Sequence, residues 1–541
     1  MKLIIIGAGP GGYETALLAA KRGVEVILIE AGPVGGTCLN EGCIPTKSFC
    51  RNAELLDRLH EAEQFGVTGL SYGFDFGKVR ERKNAVVDQL RGGVESLLSH
   101  KLITLVRGKA SFKDAHTVVV QLNEAVDCQS EGSRLAEQEN EEMLSEHKDS
   151  LTAEFTADYI IIATGSASAS LPIPGADLPG VITSKEILDI EDVPQRLCVI
   201  GGGVIGLEFA SIFKSFGSEV TVIEYCKDIL PRFDSDLSKR LRQSLGKRGI
   251  DILTQSQVLS IIPCESADQQ LAEQEHGEML HSLAGLLTSN PHDNVPARGQ
   301  SSKLSVIYSR KGKEDTVLAD KVLMAVGRKA NTASLNLDDI GINYTKKGVE
   351  VNGYMQTSIP HIYAIGDING QMMLAHAATF QGIVALDHMM GIENEIDLSV
   401  MPAAVFTSPE AASVGMTEEE CKEKGIPVKC LKSFYRANGK AVSMAETDGF
   451  CKIIVESPQA LPSASVLPTT PVIQSSSVLP GEVEESPSGR ILGCHLYGPH
   501  ASDLIHEIAA LINRKATIRD MQNIIHAHPT LSEVLQSAVH Q

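Results

Sequence analysis

Lys2-Leu3-Ile4-Ile5-Ile6-Gly7-Ala8-Gly9-Pro10-Gly11-Gly12 opens the chain, and its reading decides the fold. The apolar run predicts a buried parallel strand, and Ala16 to Lys21 continue in helical periodicity. Between them stands G-x-G-x-x-G in the strand–turn–helix setting it requires. Gly7 permits the tight turn, Gly9 lets the backbone approach a pyrophosphate, and Gly12 lets the helix pack on the strand. The unpaired N–H groups at the helix start then face the phosphates. A following strand, Val24 to Ile29, ends in Glu30, placed to accept from a ribose.

The same device recurs in the middle of the chain. Leu197-Cys198-Val199-Ile200 leads into Gly201-Gly202-Gly203-Val204-Ile205-Gly206, and Val220-Thr221-Val222-Ile223 ends in Glu224. One such fingerprint is weak, but two with matching strands and acids predict two dinucleotide sites in one chain. A carboxylate at Glu224 accepts from a 2′-OH and repels a 2′-phosphate, and Tyr225 and Cys226 follow it rather than an arginine. NAD is therefore expected over NADP.

Just after the first fingerprint comes Gly36-Thr37-Cys38-Leu39-Asn40-Glu41-Gly42-Cys43-Ile44-Pro45-Thr46-Lys47. An isolated C-x4-C is more often two packed cysteines than a site. Beside a bound redox cofactor, two thiols at this spacing can instead cycle between dithiol and disulfide and pass on two electrons. The eleven cysteines (38, 43, 50, 128, 198, 226, 264, 421, 430, 451, 494) show no disulfide-framework spacing. A cytoplasmic protein is expected, its other thiols mostly reduced. The apolar start is needed as a strand rather than a signal peptide, and no segment reaches membrane-spanning length.

With these motifs stand Ala163-Thr164-Gly165, Ala325-Val326-Gly327-Arg328, Tyr363-Ala364-Ile365-Gly366-Asp367, Met373-Leu374-Ala375-His376 and His526-Ala527-His528-Pro529-Thr530-Leu531-Ser532-Glu533. Together they resemble the flavin-dependent, class I pyridine nucleotide-disulfide oxidoreductases, and within them the dihydrolipoamide dehydrogenases. The resemblance runs from Met1 almost to Gln541. It implies an α/β fold with two Rossmann-like dinucleotide-binding domains, for FAD and NAD, and an α+β C-terminal interface (dimerisation) domain. The expected boundaries are 1–170 for the FAD domain, 171–327 for the NAD domain, 328–398 for a central domain completing the FAD site, and 399–541 for the interface domain.

By the same resemblance Glu30 holds the FAD adenosine ribose and Asp367 the ribityl chain. Gly7, Gly9, Gly12, Gly35, Gly36, Thr37, Gly108, Thr164, Gly165, Ser166, and Met373, Leu374, Ala375 and His376 line the rest of the flavin site. Gly201, Gly203, Gly206, Glu224, Val258 and Gly327 hold NAD. Lys47 lies near the reactive edge of the flavin, with Glu208 as its ion-pair partner. Cys38 is the interchange thiol that meets dihydrolipoamide, and Cys43 the thiol nearest the flavin. No metal site is expected.

A dithiol must lose protons before it attacks a disulfide, and ordinary thiol pKa values lie above neutral. A histidine oriented by a carboxylate suits that task. His528 and Glu533 match the family's dyad, and Pro529 is expected to start a helix that carries Glu533 round one turn. His526 is read as structural. In the family this dyad comes from the partner subunit, so a homodimer is expected. Lipoyl domains and the E2 core of 2-oxo acid dehydrogenase complexes, or the lipoylated H protein of glycine cleavage, are the partners the resemblance implies.

Three stretches do not read as core: Asn123–Ala153, Cys264–Ser301 and Glu456–Ser488. Each interrupts an expected pair of neighbouring strands. The first two share similar short-helix sequences, Leu135–Leu144 and Leu271–Leu280. They carry nine acids and two bases, six and one, and four and none, and so hold most of the net charge of −20. There is no basic patch, and neither nucleic acid nor membrane is expected as a partner. Among rivals, glutathione-type reductases use NADP, which Glu224 opposes. Mercuric and large thioredoxin reductases work through a C-terminal cysteine or selenocysteine pair, and the tail after Glu533 has no cysteine. Flavin transhydrogenases need no redox disulfide. A scaffold flavoprotein without turnover would not need the intact thiols, Lys47, Glu208 and dyad.

Overall fold

The computed structural model describes residues 1–123, 152–264, 304–457 and 489–540. The chain divides into two compact units, Met1–Ile229 with Arg248–Leu398, and Leu230–Lys247 with Ser399–Gln541.

The first unit contains two sheets built on one plan. In the first, Lys2–Ile6 pairs in parallel with Glu25–Glu30 on one side and Tyr159–Ile162 on the other. Ile103–Phe112 and Ile362–Ala364 extend it in either direction. In the second, Arg196–Ile200 is flanked in parallel by Glu219–Ile223 and Lys321–Met324, with Ile250–Leu253 and Val181–Ile182 outside them. Parallel strands covered on both faces must be apolar throughout. Leu3, Ile4 and Ile5 are fully buried, as are Cys198 and Val199. Helices Pro10–Lys21 and Val204–Ser215 follow the two central strands, so each glycine turn sits at the carboxyl end of its sheet, where such folds bind ligands.

All three interrupted strand pairs are present. Thr117–Leu122 pairs antiparallel with Thr152–Thr156, Ser256–Pro263 with Leu304–Arg310, and Phe450–Glu456 with Ile491–Tyr497. Chain between paired strands can lengthen at small entropic cost. The two similar helical sequences expected at Leu135–Leu144 and Leu271–Leu280 lie outside the described residues.

The second unit is a five-stranded antiparallel sheet in the order Ala403–Val405, Ala411–Gly415, Ile491–Tyr497, Phe450–Glu456, Val428–Phe434. Ile505 and Ile508 of helix Ala501–Asn513 and Val534 and Leu535 of helix Glu533–Val539 join its core. Helix Ser235–Lys247 belongs to this unit for an electrostatic reason. Lys452, 1% exposed at the side chain, places Nζ 2.9 Å from both Asp234 and Asp236 and 2.6 Å from Glu418. A buried ammonium stripped of such a partner costs roughly 3–5 kcal/mol, so the carboxylates at the start of that helix are held to the sheet.

Candidate active site

The redox stretch folds into two helices separated by a tight turn. Gly35 and Gly36 both have positive φ, at 95° and 55°. A Cβ on Gly36 would stand 2.7 Å from the Gly9 Cα, so only glycine lets this segment close over the first fingerprint. Cys38 lies in the short helix Gly36–Asn40, and Cys43 is the first residue of helix Cys43–His60. Both are free thiols here. The Cys38 thiol hydrogen-bonds to the Cys43 sulfur; that contact holds Cys43 down to about 7, with Lys47 adding to it against burial. The same contact, with burial, pushes Cys38 up. A thiolate at the start of a helix is further favoured by the unpaired N–H groups there. The contact therefore favours the thiolate on Cys43 over Cys38.

One turn along the same helix, Lys47 places Nζ 3.0 and 2.9 Å from the two oxygens of Glu208, itself 4% exposed. Burial opposes the Lys47 charge, but Glu208 outweighs it and raises the pKa. Glu208 sits in the first turns of helix Val204–Ser215. The expected ion pair thus joins the helix of the thiols to the helix of the second fingerprint.

The glycines of the two turns meet different surroundings. Gly7 and Gly201 have φ of 107° and 110°, and a Cβ on either would strike the carbonyl of Ala163 or Ala325 at 2.4 Å. A Cβ on Gly12 or Gly206 would strike the carbonyl of Gly7 or Gly201 at 1.8 and 2.1 Å. The middle glycines differ: a Cβ on Gly203 would meet nothing within 4 Å, and one on Gly9 only the Gly36 Cα at 3.9 Å. Those open positions are where a pyrophosphate needs room. Glu30 accepts from the N–H groups of Ala8 and Gly32 at 2.6 and 2.8 Å. Glu224 accepts from Gly202 and Cys226, both at 2.6 Å. Each acid is thereby fixed beside its glycine turn with lone pairs to spare. Past Glu224, Tyr225, Cys226, Lys227, Gln255, Gln257 and Ser309 line an open cleft of ≈ 420 Å³. The residues present fit two dinucleotides.

The other expected flavin residues gather near the first turn's sheet. Ser166 donates to Asp367 Oδ2 at 2.5 Å, Thr164 donates to the Asn331 carbonyl at 3.2 Å, and Gly165 has φ of 66°. Leu374 caps helix Ala375–Met389, so Met373 to His376 form a helix entry. Gly108 packs against the neighbouring strand, where a Cβ would lie 2.5 Å from the Gln121 carbonyl. Val258 is buried in the core of the second nucleotide sheet. Gly327, with φ of 120°, precedes Arg328, whose guanidinium reaches Ser166 and Thr37. The sequence marks Arg328 as part of a motif and gives it no role.

In the second unit, His528 Nδ1 lies 2.9 Å from Glu533 Oε1, and the Thr530 N–H donates to Glu533 Oε2 at 2.9 Å. The Thr530 N–H and then His528 lower the Glu533 pKa. A carboxylate can only accept, so Nδ1 carries the proton and Nε2 is left as the acceptor. The His528 side chain is 78% exposed, so Nε2 can meet another molecule. His526 is the opposite case, 4% exposed and held 3.0 Å from Glu507. One local expectation needs correction: the helix begins at Glu533, not at Pro529. Glu533 spends its carboxylate on His528 and Thr530 and so fixes the turn before the helix.

The chain matches the family described as Pyridine nucleotide-disulphide oxidoreductase over residues 1–382, and that family's dimerisation domain over 401–461 and 483–539. It belongs to the pyridine nucleotide-disulphide oxidoreductases. Within them it is 34% identical to a Dihydrolipoyl dehydrogenase of Bacillus subtilis (strain 168), over 100% of this chain and 98% of that protein. A Dihydrolipoyl dehydrogenase of Chlamydia muridarum is also 34% identical, over 98% and 94%. Among solved structures, the Cu(II) complex of the HOCl-induced flavoprotein disulfide reductase RclA from Escherichia coli is 26% identical with a TM-score of 0.73, covering 100% of this chain and 98% of that one. LpdA from Mycobacterium tuberculosis, 23% identical with a TM-score of 0.76 over 100% and 99%, shares the fold. No helix among the described residues is long and apolar enough to cross a membrane.

Proposed function

We propose that the chain is an NAD-dependent dihydrolipoyl dehydrogenase, working as a homodimer on dihydrolipoamide carried by lipoyl domains. The observation that carries this reading is the Cys38–Cys43 contact, with the charge directed onto Cys43 at a helix start one turn from the Lys47–Glu208 pair. Bound at the two fingerprints, FAD supplies a two-electron acceptor and NAD+ carries the electrons away as NADH.

The protein's own part divides into proton and sulfur steps. His528 Nε2 takes the proton of a substrate thiol, while Glu533 steadies the imidazolium that results. The substrate thiolate attacks Cys38 of the oxidised disulfide, the Cys38–Cys43 bond breaks, and Cys43 leaves as thiolate. The second substrate thiol then attacks the mixed disulfide, the lipoyl ring closes, and Cys38 leaves with the proton. Lys47, held by Glu208, keeps a positive charge beside the Cys43 thiolate. Glu30 and Asp367 fix the flavin nucleotide, and Glu224 selects NAD. Lipoamide leaves before NAD+ is reduced, so parallel lines are expected in double-reciprocal plots.

The lipoyl carrier is the E2 core of a 2-oxo acid dehydrogenase complex or a glycine-cleavage H protein. The same reading sets the protein in the cytoplasm, on the strength of its cysteine spacing. Purified protein should form NADH from dihydrolipoamide and NAD+, and Cys43→Ser should abolish that reaction. A wild-type protein that holds FAD but forms no NADH from dihydrolipoamide would refute the substrate assignment.

A further inference from the structure

We infer that Arg328 is a positioning residue of the flavin site, acting through Ser166 on Asp367. The inference rests on the reading of the first fingerprint as the FAD site. Strand Arg328–Ala330 pairs antiparallel with Ser166–Ser168. This sets the Arg328 side chain, 15% exposed, against Ser166. Its Nε donates to Ser166 Oγ at 2.7 Å, and Nη2 donates to the Ser166 carbonyl at 2.7 Å and to Thr37 Oγ1 at 3.4 Å. Nε also lies 3.7 Å from Asp367 Oδ2.

The direction of these bonds is forced. A guanidinium has donors only, so Ser166 Oγ must accept from it. The single hydroxyl proton is then spent on Asp367 Oδ2. Arginine to serine to aspartate is one ordered chain, and it fixes a carboxylate whose Oδ1 has no protein partner among the described residues. That oxygen can accept from a ribityl hydroxyl. The same guanidinium touches Thr37, the neighbour of Cys38, and follows Gly327 directly. Arg328 therefore ties the flavin clamp to the redox helix. A lysine could not supply the two parallel donors to Ser166.

The test is the rate at which purified holoenzyme releases FAD after dilution into flavin-free buffer, followed by flavin fluorescence. Arg328→Met and Ser166→Ala should each speed release by about 10- to 100-fold, the loss expected for one charge-assisted link. The double variant should exceed the worse single by no more than about threefold, because both break one chain. Arg328→Lys should fall between wild type and Arg328→Met. A residue that only stitched the strand pair would leave release unchanged in Ser166→Ala, which keeps the Arg328 bond to the Ser166 carbonyl; that result, unchanged release in Arg328→Met, or multiplying effects in the double variant would overturn the inference. Should Arg328→Met yield no holoenzyme, Ser166→Ala and Arg328→Lys decide by the same comparison: faster release in both supports the inference, and wild-type release in either overturns it. A wild-type protein that purified without FAD would overturn the flavin reading itself, and this inference with it.

Discussion

The two nucleotide halves of the first unit share strand order, glycine geometry and an acid bonded to the turn, yet differ in what covers the turn. In the first half Gly36 closes over Gly9, and the segment that closes it carries Cys38. In the second half Gly203 faces open space, and the region past Glu224 is a cleft bearing an exposed Tyr225. On the proposed function, one fold is thereby used twice, as the seat of a resident cofactor and as the dock of an exchanging one. The difference lies in a few residues after the second strand. Where the first half continues into Gly35-Gly36-Thr37-Cys38, the second continues into Tyr225-Cys226-Lys227.

Substitutions test that contrast. The largest effect belongs to the covering segment: Cys43→Ser should lower dihydrolipoamide-dependent NADH formation by at least about a thousandfold. NADH should still bleach the flavin in that variant, because the second half is untouched. Next, His528→Ala should cost about 10²- to 10⁴-fold in turnover, and Glu533→Gln less, since it keeps the imidazole but loses the charge that steadies it. Stopped-flow measurement of the dithiol half-reaction should carry the whole loss.

The glycines test the contrast itself. Gly36→Ala puts a side chain at positive φ and against the Gly9 Cα, so flavin content and thermal stability should both fall, by roughly 1–3 kcal/mol for the backbone alone. Gly203→Ala meets no protein atom within 4 Å. It should keep its flavin and melting temperature while raising the KM for NAD+ about tenfold. If Gly203→Ala lost flavin as readily as Gly36→Ala, the two halves would not be separable as described.

The smallest effect is one of pH. With Cys43 held down to about 7, the thiolate of the dithiol-reduced enzyme is present above that pH and lost as pH falls through it. Long-wavelength absorbance of the reduced holoenzyme should follow that curve. Removing the cation with Lys47→Gln should move its midpoint upward by about one unit.

Much of this was legible in the sequence because it is local. Both fingerprints lie in short stretches whose strand–turn–helix context is itself readable, and Cys38 and Cys43, like His528 and Glu533, are only a few positions apart. Glu208 was legible only through family resemblance, since its partner Lys47 is 161 positions away. The role of Arg328 was not legible, because it depends on a strand pairing across 162 positions and on a hydroxyl whose only proton is already committed. The start of the last helix is not legible for a related reason. Proline favours a helix start, but the bonds from Glu533 to His528 and Thr530 set the turn that precedes it. Nor does sequence give a reason to join helix Ser235–Lys247 to the C-terminal unit, which rests on the buried Lys452 cluster.

In the proposed function Cys38 and Cys43 form the redox centre through which dihydrolipoamide reduces the flavin. Anaerobic titration of the purified yellow protein with dihydrolipoamide, followed by NAD+, tests it most directly. A long-wavelength absorbance band from the Cys43 thiolate against oxidised flavin, followed by NADH on adding NAD+, is the predicted result. A spectrum unchanged by dihydrolipoamide, in a protein whose flavin NADH bleaches directly, would contradict it.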